Sequence, residues 1–411
     1  MKGFSSKAVH GGGAVKKDAH GALRMPLYEN VTFEFENARA IQFAFEGRSL
    51  GHSYTRISNP TVEDFEQRIR LLTDARGVVA VSSGMAAITE IVLVLAEAGA
   101  NIISTKFLFG NTYSLFEHTL KPWGLNVKYV DMTRTEEVEQ AIDEKTRAIY
   151  LESIANPQLQ VADVAGIAKI AAASHIPVVL DGTVTTPYLF RSKDFGVAVE
   201  VLSSTKYISG GGTTVGGLII DNGNQDWGKC PRLQEAAQKY GPHALLAHLR
   251  RELHRNLGSC MSPHTAYQQT LGLETLALRI DRSCENALTL ARFLQSRPEV
   301  KAVNYPGLET SPYHELAKAQ FGGKYGGILT FTLTDKEQCY KFTDSLAMIR
   351  RATNINDNKT LILHPASTIF CEYCAEEKEG LGVPPNMLRL AVGIEDVGDI
   401  MDDLTQGLET L

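Results

Sequence analysis

The 411-residue sequence predicts an α/β fold, a doubly wound and mostly parallel sheet followed by a smaller C-terminal α+β segment. Three observations carry this reading. Short apolar runs of strand length recur between residues 77 and 221, and helix-length stretches separate several of them. After residue 256 the texture changes to one long helical stretch followed by scattered strands. Parallel strands need crossover connections and are covered on both faces, so they read as near-continuous apolar runs.

In chain order, residues 1–60 carry Pro26, Pro60 and several glycines with weak periodicity, and read as an extended arm. GVVAVS (77–82) reads as the first strand and GMAAITEIVLVLAEAG (84–99) as the helix after it. Further strands are expected at NIIST (101–105), VKYVD (127–131), AIYLES (148–153), IPVVLD (176–181), VEVLSS (199–204) and GGLIID (216–221). EEVEQAID (136–143) and VAGIAKIAAAS (164–174) read as intervening helices. Residues 265–296 read as one long helical stretch leading into strands within KAVNYPG, GGILTFTL and MLRLAVGI. The expected partition is an arm over 1–60, a ligand-binding sheet domain over 61–255 and a C-terminal domain over 256–411.

Composition narrows the function. The net charge is −6 with no basic cluster, which argues against nucleic acid or an anionic membrane as partner. The apolar run IVLVLA (91–96) is too short to span a bilayer, and MKGFSSKAVHGGG lacks the apolar core of a signal peptide, so a cytoplasmic enzyme is expected. Six cysteines are scattered; only Cys371 and Cys374 form a C-x-x-C, and no second pair completes a metal site. His248, Glu252 and His254 in HLRRELHR lack the H-E-x-x-H spacing and read as a solvated helix face.

In a doubly wound sheet the ligand lies outside the carboxyl ends of the strands, which puts Ser83, Asp181 and Lys206 on one edge. SSGMAAI sets small residues at a strand-to-helix junction, where free amides and the helix dipole favour an anion. Neither G-x-G-x-x-G nor G-x-x-x-x-G-K-[ST] is present, so dinucleotide and nucleoside triphosphate lack their fingerprints. Ser203 and Thr205 bracket Lys206 and can donate to the same anion. Asp181 ends an apolar strand, where desolvation without a cation is costly. A phosphate, an imine-forming lysine and a buried carboxylate are the needs of pyridoxal 5′-phosphate (PLP). Gly210, Gly211 and Gly212 would let the lysine segment adjust.

Six regions of the chain resemble the Cys/Met-metabolism family of PLP enzymes. They are SYTRISNPT (53–61), SSGMAAI (82–88), ESIANP (152–157), DGTVTTP (181–187), SSTKYISG (203–210), and HPAS (364–367) with RLAVGIED (389–396). The resemblance covers nearly the whole chain. It implies the aspartate-aminotransferase-like fold (fold type I) with a seven-stranded sheet. It makes Lys206 the Schiff-base lysine and proton shuttle, and Asp181 the partner of the pyridine nitrogen. Gly84, Met85, Ser203 and Thr205 would bind the phosphate, and Asn156 would sit near the ring hydroxyl. Tyr54 and Arg56 would reach the phosphate of a neighbouring subunit, within a homotetramer whose active sites are shared. Arg389, helped by Asn354, would hold the substrate carboxylate.

Four departures from the family pattern stand out. Phe109 replaces a tyrosine that stacks on the ring, so stacking survives without the hydroxyl. Gly182 replaces an asparagine, Asn356 a glycine and Phe370 a histidine. All four are expected on the substrate side, with Phe109 and Phe370 making the region around the γ-position apolar. Residues 249–280 are most similar to the O-acetylhomoserine sulfhydrylase branch. That implies γ-replacement: acetate leaves O-acetyl-L-homoserine, and sulfide or a sulfur carrier protein supplies the sulfur of homocysteine. Cystathionine γ-synthase and the cystathionine and methionine γ-lyases share the scaffold and are the alternatives, with a non-catalytic PLP-fold scaffold as the remote one.

Overall fold

The structure, a computed structural model, describes residues 2–11, 20–49 and 51–411, so parts of the expected arm lie outside the described residues. Seven strands form the larger sheet: β1 (Gly77–Val81), β2 (Asn101–Ser104), β3 (Asn126–Tyr129), β4 (Thr146–Glu152), β5 (Val178–Asp181), β6 (Val199–Leu202) and β7 (Gly217–Asp221). Their order is β1-β7-β6-β5-β4-β2-β3. Strands β2 to β6 pair in parallel, while β7 runs antiparallel to both β1 and β6. All seven expected strands form. No helix separates β6 from β7, so the chain returns without a crossover and β7 reverses direction.

Alternate residues of these strands face different cores. Val79, Val81, Val179, Val199, Val201 and Ile219 pack with Ile88, Ile91 and Leu95 of helix Gly84–Leu95. On the opposite face, Val78, Ala80, Leu218 and Ile220 meet Phe65 and Ile69 of helix Pro60–Thr73. Ile149, Leu151, Val178 and Leu180 instead meet a second sheet. That sheet comprises β8 (Ala302–Asn304), β9 (Ile328–Thr332), β10 (Arg350–Arg351), β11 (Leu361–Leu363) and β12 (Met387–Ala391), in the order β10-β11-β12-β9-β8. Leu329, Phe331, Leu388 and Leu390 carry its side of the shared core. One continuous core therefore ties the two sheets. The partition at 60 and 255 remains our proposal.

Three expectations need correction. The stretch 265–296 is two helices, Pro263–Glu274 and Leu276–Gln295. Arg279 of the second turns back: its Nη2 donates to Gly272 O (2.6 Å) at the end of the first, beside the Thr275 N–H (3.2 Å). Those bonds satisfy a helix end that would otherwise carry on. The arm is not simply extended, since Phe4–His10 and Ala38–Glu46 are helical. His254 does not lie on a solvated face; it is buried, with Nδ1 3.4 Å from the buried Glu90 carboxylate. Among the described residues, no helix is long and apolar enough to cross a membrane.

Candidate active site

The carboxyl ends of β4, β5 and β6 deliver Glu152, Asp181 and, beyond Leu202, the segment Ser203–Lys206 to one edge. A circuit of contacts runs through this edge. Lys206 Nζ donates to Asn354 Oδ1 (2.7 Å), and Arg389 Nη2 donates to the carbonyls of Thr353 (3.1 Å) and Asn354 (3.2 Å). Arg389 Nη1 donates to Asn156 Oδ1 (3.1 Å), whose own N–H donates to Glu152 Oε2 (3.1 Å). Glu152 stands in register beside Asp181 on the neighbouring strand. Asp181 Oδ1 accepts from Thr183 N (2.8 Å), and Thr183 Oγ1 accepts from Ser203 N (2.8 Å). Ser203 O accepts from Lys206 N (3.2 Å) and closes the ring. Lys206, Asp181, Asn156, Arg389, Asn354 and Ser203 are thus brought together as the sequence leads one to expect.

The anion-binding end is built by close backbone approach. Ser83 caps helix Gly84–Leu95, its Oγ accepting from Ala86 N (3.0 Å). A Cβ on Gly84 would stand 2.7 Å from Ser203 Cβ, and one on Gly217 would stand 2.1 Å from Ser83 O. Only glycine lets β7 and the lysine segment press against this turn. Met85 follows as the second residue of the helix and packs half-buried on its core. Thr205 is already engaged: its Oγ1 donates to Gly216 O (3.2 Å) and accepts from Gly216 N (3.0 Å).

Electrostatics divides the edge into two poles. Burial, and then the nearby Arg389 charge, lowers the Lys206 ammonium to about 8. Arg389 is 2% exposed, burial lowers it to about 10, and its Nε donates to no protein atom. On the other side burial raises Asp181, whose carboxylate accepts from the Thr183 amide (2.8 Å) and from the Tyr150 hydroxyl (3.4 Å). Asp181 is surrounded by protein yet keeps part of its surface open at the sheet edge. Burial, and then the Asp181 charge, pushes Glu152 up to about 8, and burial pushes Glu200 up to about 8. No cation pairs with these three acids among the described residues.

These observations fit PLP. The enclosed Asp181 awaits a cation, which a pyridinium nitrogen supplies. The capped helix end suits the phosphate, and the lysine of lowered pKa suits imine formation. Phe109 begins the helix Gly110–Ser114, with its N–H bonded to Glu152 Oε1 at 2.6 Å.

Other expectations change. Phe370 is 1% exposed and sits in a satellite core with Ala366, Tyr373, Leu381 and Val383, so its ring does not line the cleft. Gly182 is explained by Glu200 of β6: a Cβ on residue 182 would lie 2.2 Å from Glu200 Oε1. Asn356 keeps the left-handed backbone that favours glycine, at φ 55°, which asparagine tolerates, and its Nδ2 donates to Thr183 O (3.2 Å). The glycines after Lys206 form a packed turn rather than a loose one. Gly210 has φ 80°, its Cβ position lies 2.6 Å from Arg279 Cζ, and Arg279 Nη1 donates to Tyr207 O (2.6 Å). Tyr54 and Arg56 stand outside the circuit. Tyr54 is 38% exposed, Arg56 lies 5.3 Å from its ring centroid, and Arg56 Nη1 donates to Arg255 O (2.5 Å). Glu152, Glu200 and Tyr150 escaped sequence reasoning; a glutamate inside an apolar strand, as in VEVL, was the available signal.

Comparison with known proteins agrees with this geometry. The model of the family "Cys/Met metabolism PLP-dependent enzyme" matches residues 5–409. A homocysteine/cysteine synthase of Saccharomyces cerevisiae is 36% identical, over 99% of this chain and 98% of its own. An L-methionine gamma-lyase of Fusobacterium nucleatum is 35% identical, over 100% and 98%. A putative O-acetylhomoserine (thiol)-lyase from Campylobacter jejuni, solved with N′-pyridoxyl-lysine-5′-monophosphate, superposes with a TM-score of 0.92 at 33% identity, covering 99% of both chains. An O-acetylhomoserine sulfhydrylase of Wolinella succinogenes, described as catalysing a novel mechanism of sulfur transfer, is 51% identical, with a TM-score of 0.78 over 86% of this chain and 99% of its own. With the whole chain matched and the acid, lysine and helix end gathered on one edge, this protein belongs to the Cys/Met-metabolism family of PLP-dependent enzymes.

Proposed function

We propose that the enzyme catalyses γ-replacement, making homocysteine from O-acetyl-L-homoserine and a sulfur donor, either sulfide or carrier-borne sulfur. The observation that carries this reading is the charge arrangement on the substrate side. The buried Arg389 offers an unbonded Nε to an α-carboxylate, while the carboxylate of Asp357 lies close enough to Lys206 to offset part of the lowering of its pKa by burial and Arg389. Asp357 also accepts from Asn354 Nδ2 (3.0 Å). A fixed carboxylate here disfavours a substrate with a second acid, such as a succinyl ester, and tolerates a neutral acetyl ester. The relatives named for homocysteine synthesis and O-acetylhomoserine support the same choice.

In this reading Asp181 would keep the pyridine nitrogen protonated, Phe109 would stack on the ring and Asn156 would face its hydroxyl. Ser203, Thr205, Gly84 and Met85 would hold the phosphate, with Thr205 free to exchange its bond to Gly216 O for the anion. When bound, PLP supplies an electron sink that makes the substrate Cα–H acidic and its γ-substituent labile. Arg389 and Asn354 orient the α-carboxylate, and Lys206 Nζ, neutral above about pH 8, accepts the Cα proton. Phe109 brings no hydroxyl to the cleft, so proton transfer toward the γ-position falls to Lys206.

The test is a specificity ratio. With sulfide in excess, kcat/KM for O-acetyl-L-homoserine should exceed that for the succinyl ester at least about tenfold, the size of one unfavourable charge contact of about 1.4 kcal/mol. Preference for the succinyl ester with cysteine as acceptor would make the enzyme a cystathionine γ-synthase. Release of ketobutyrate and methanethiol from methionine alone would make it a γ-lyase, a reading that the methionine gamma-lyase relative keeps in view.

We also propose that Tyr54 and Arg56 complete a neighbouring subunit's phosphate site. Both are exposed on the arm and stand outside the contact circuit of their own chain, which supports this. Mixing Arg56→Ala with Lys206→Ala should restore activity through hybrid dimers that hold one intact site. Subunit exchange without any recovery would refute sharing.

A further inference from the structure

We propose that Glu152 is a positioning residue that sets the two contacts on the cofactor ring and, through one of them, the substrate-binding arginine. Glu152 is the last residue of β4, buried, and both of its carboxylate oxygens are used. Oε1 accepts the N–H of Phe109 at 2.6 Å, and Oε2 accepts the N–H of Asn156 at 3.1 Å. These amides belong to different loops, one following β2 and the other following β4. A single side chain therefore fixes the height of the stacking ring relative to the carboxamide that meets the ring hydroxyl. The same carboxamide accepts from Arg389 Nη1 (3.1 Å), so the clamp extends to the guanidinium.

Burying this carboxyl in register with Asp181 is unfavourable in itself. Loop anchoring alone would be served by a neutral acceptor such as an amide or a backbone carbonyl. The Phe109 and Asn156 amides both favour the ionised form against the burial that raises this group, and what that carboxylate adds is two equivalent acceptors about 2.2 Å apart on a rigid plane, which lock the two loops in one relative position. A glutamine has the same shape but presents an NH2 to one of the two amides, so it must release one loop.

The inference rests on the assignment of Phe109 and Asn156 to the ring, and the test separates the two. Parent, Glu152→Gln and Glu152→Asp proteins are compared as holoenzyme and apoenzyme. The parent must first show a visible band that borohydride abolishes; without it the cofactor reading fails, whatever Glu152 does. Expected for Glu152→Gln is an apoenzyme melting near the parent, PLP bound about tenfold more weakly, and reduced visible circular dichroism of the bound cofactor. The KM for the amino-acid substrate should rise by a similar factor; one lost hydrogen bond in a dry site is of this size. Glu152→Asp, which keeps both oxygens on a shorter stem, should recover part of the dichroism. Parent-like cofactor affinity, dichroism and KM in Glu152→Gln would overturn the proposal. Should the variants fail to fold, hydrogen exchange of the parent holoenzyme, read residue by residue, decides. The Phe109 and Asn156 amides should be at least about a hundredfold better protected than flanking loop amides. Exchange at the flanking rate would refute the clamp.

Discussion

The two poles of the active site hold their charges in contrasting ways. At the ends of β4 and β5 and within β6, three acids crowd together with no cation paired to them among the described residues. Across the cleft Lys206 and Arg389 are two cations, and Asp357 offsets part of the cost at Lys206. A folded chain that wanted stability alone would have paired one set with the other. Keeping them apart leaves each pole incomplete, and the ligand supplies what is missing: a ring cation for the acids, a carboxylate for the guanidinium. Within the acid pole the three groups also differ. Glu152 has both oxygens bonded to amides, Glu200 has one bonded to Ser192 Oγ (2.5 Å), and Asp181 alone keeps an open surface. That openness singles out Asp181 as the group that meets the cofactor.

The largest effect expected from disturbing this contrast is at Asp181. Asp181→Asn keeps the shape and the Thr183 contact but removes the charge. It should retain cofactor, read by absorbance, while kcat falls by about three decades, the scale of about 3–5 kcal/mol for an unpaired buried charge. Turnover near the parent level would show that the acid pole is structural only.

The poles should also give the apoenzyme opposite pH slopes. Glu200 is raised from 4.5 to about 8, so between these values the unfolded chain has lost a proton that the fold retains, and stability falls as pH rises. Lys206 is lowered from 10.5 to about 8, so between about 8 and 10.5 the unfolded chain holds the extra proton, and stability rises with pH. Denaturant midpoints measured from pH 5 to 10 isolate each contribution by difference. The stability of the parent relative to Glu200→Gln should decline up to about pH 8 and then level. Relative to Lys206→Met it should climb above about pH 8. A flat difference in either series would remove that residue from the charge account.

The contrast also shows what the sequence could tell. Strands were legible because buried parallel strands are apolar throughout, and Asp181 and Lys206 because a charge at the end of such a run is conspicuous. Glu152 and Glu200 were equally visible as letters, yet their meaning depends on which strands become neighbours. The order β6-β5-β4, which sets Glu152 beside Asp181 and Glu200 one residue back beside Leu180, is a tertiary fact. Phe370 misled for the same reason: a position beside a family motif does not say which way a ring turns, and here it turns into a small core. The break at Thr275 depended on Arg279 reaching back to Gly272 O and Tyr207 O, contacts that no helical periodicity announces.

The smallest expected effect tests the explanation of Gly182, which couples the acid pole to the backbone. Glu200 fills the space beside residue 182: a Cβ there would meet Glu200 Oε1 at 2.2 Å, and Glu200 Cδ and Leu202 Cδ2 at 3.0 Å each. Glu200 cannot easily swing aside, since Oε2 is held by Ser192, whose Oγ in turn accepts from Asn222 Nδ2 (2.9 Å). Gly182→Ala should therefore lower stability by about 1–3 kcal/mol through overpacking. Glu200→Ala should also destabilise, by leaving a cavity and a stranded Ser192 hydroxyl. Together they should cost less than the sum, because the methyl enters space that the glutamate has left. A double-mutant cycle by chemical denaturation reads this directly, with a coupling of about 0.5–3 kcal/mol in favour of the pair. Strict additivity would mean that the glycine answers to the backbone or the cofactor rather than to Glu200, and the departure at 182 would need another cause.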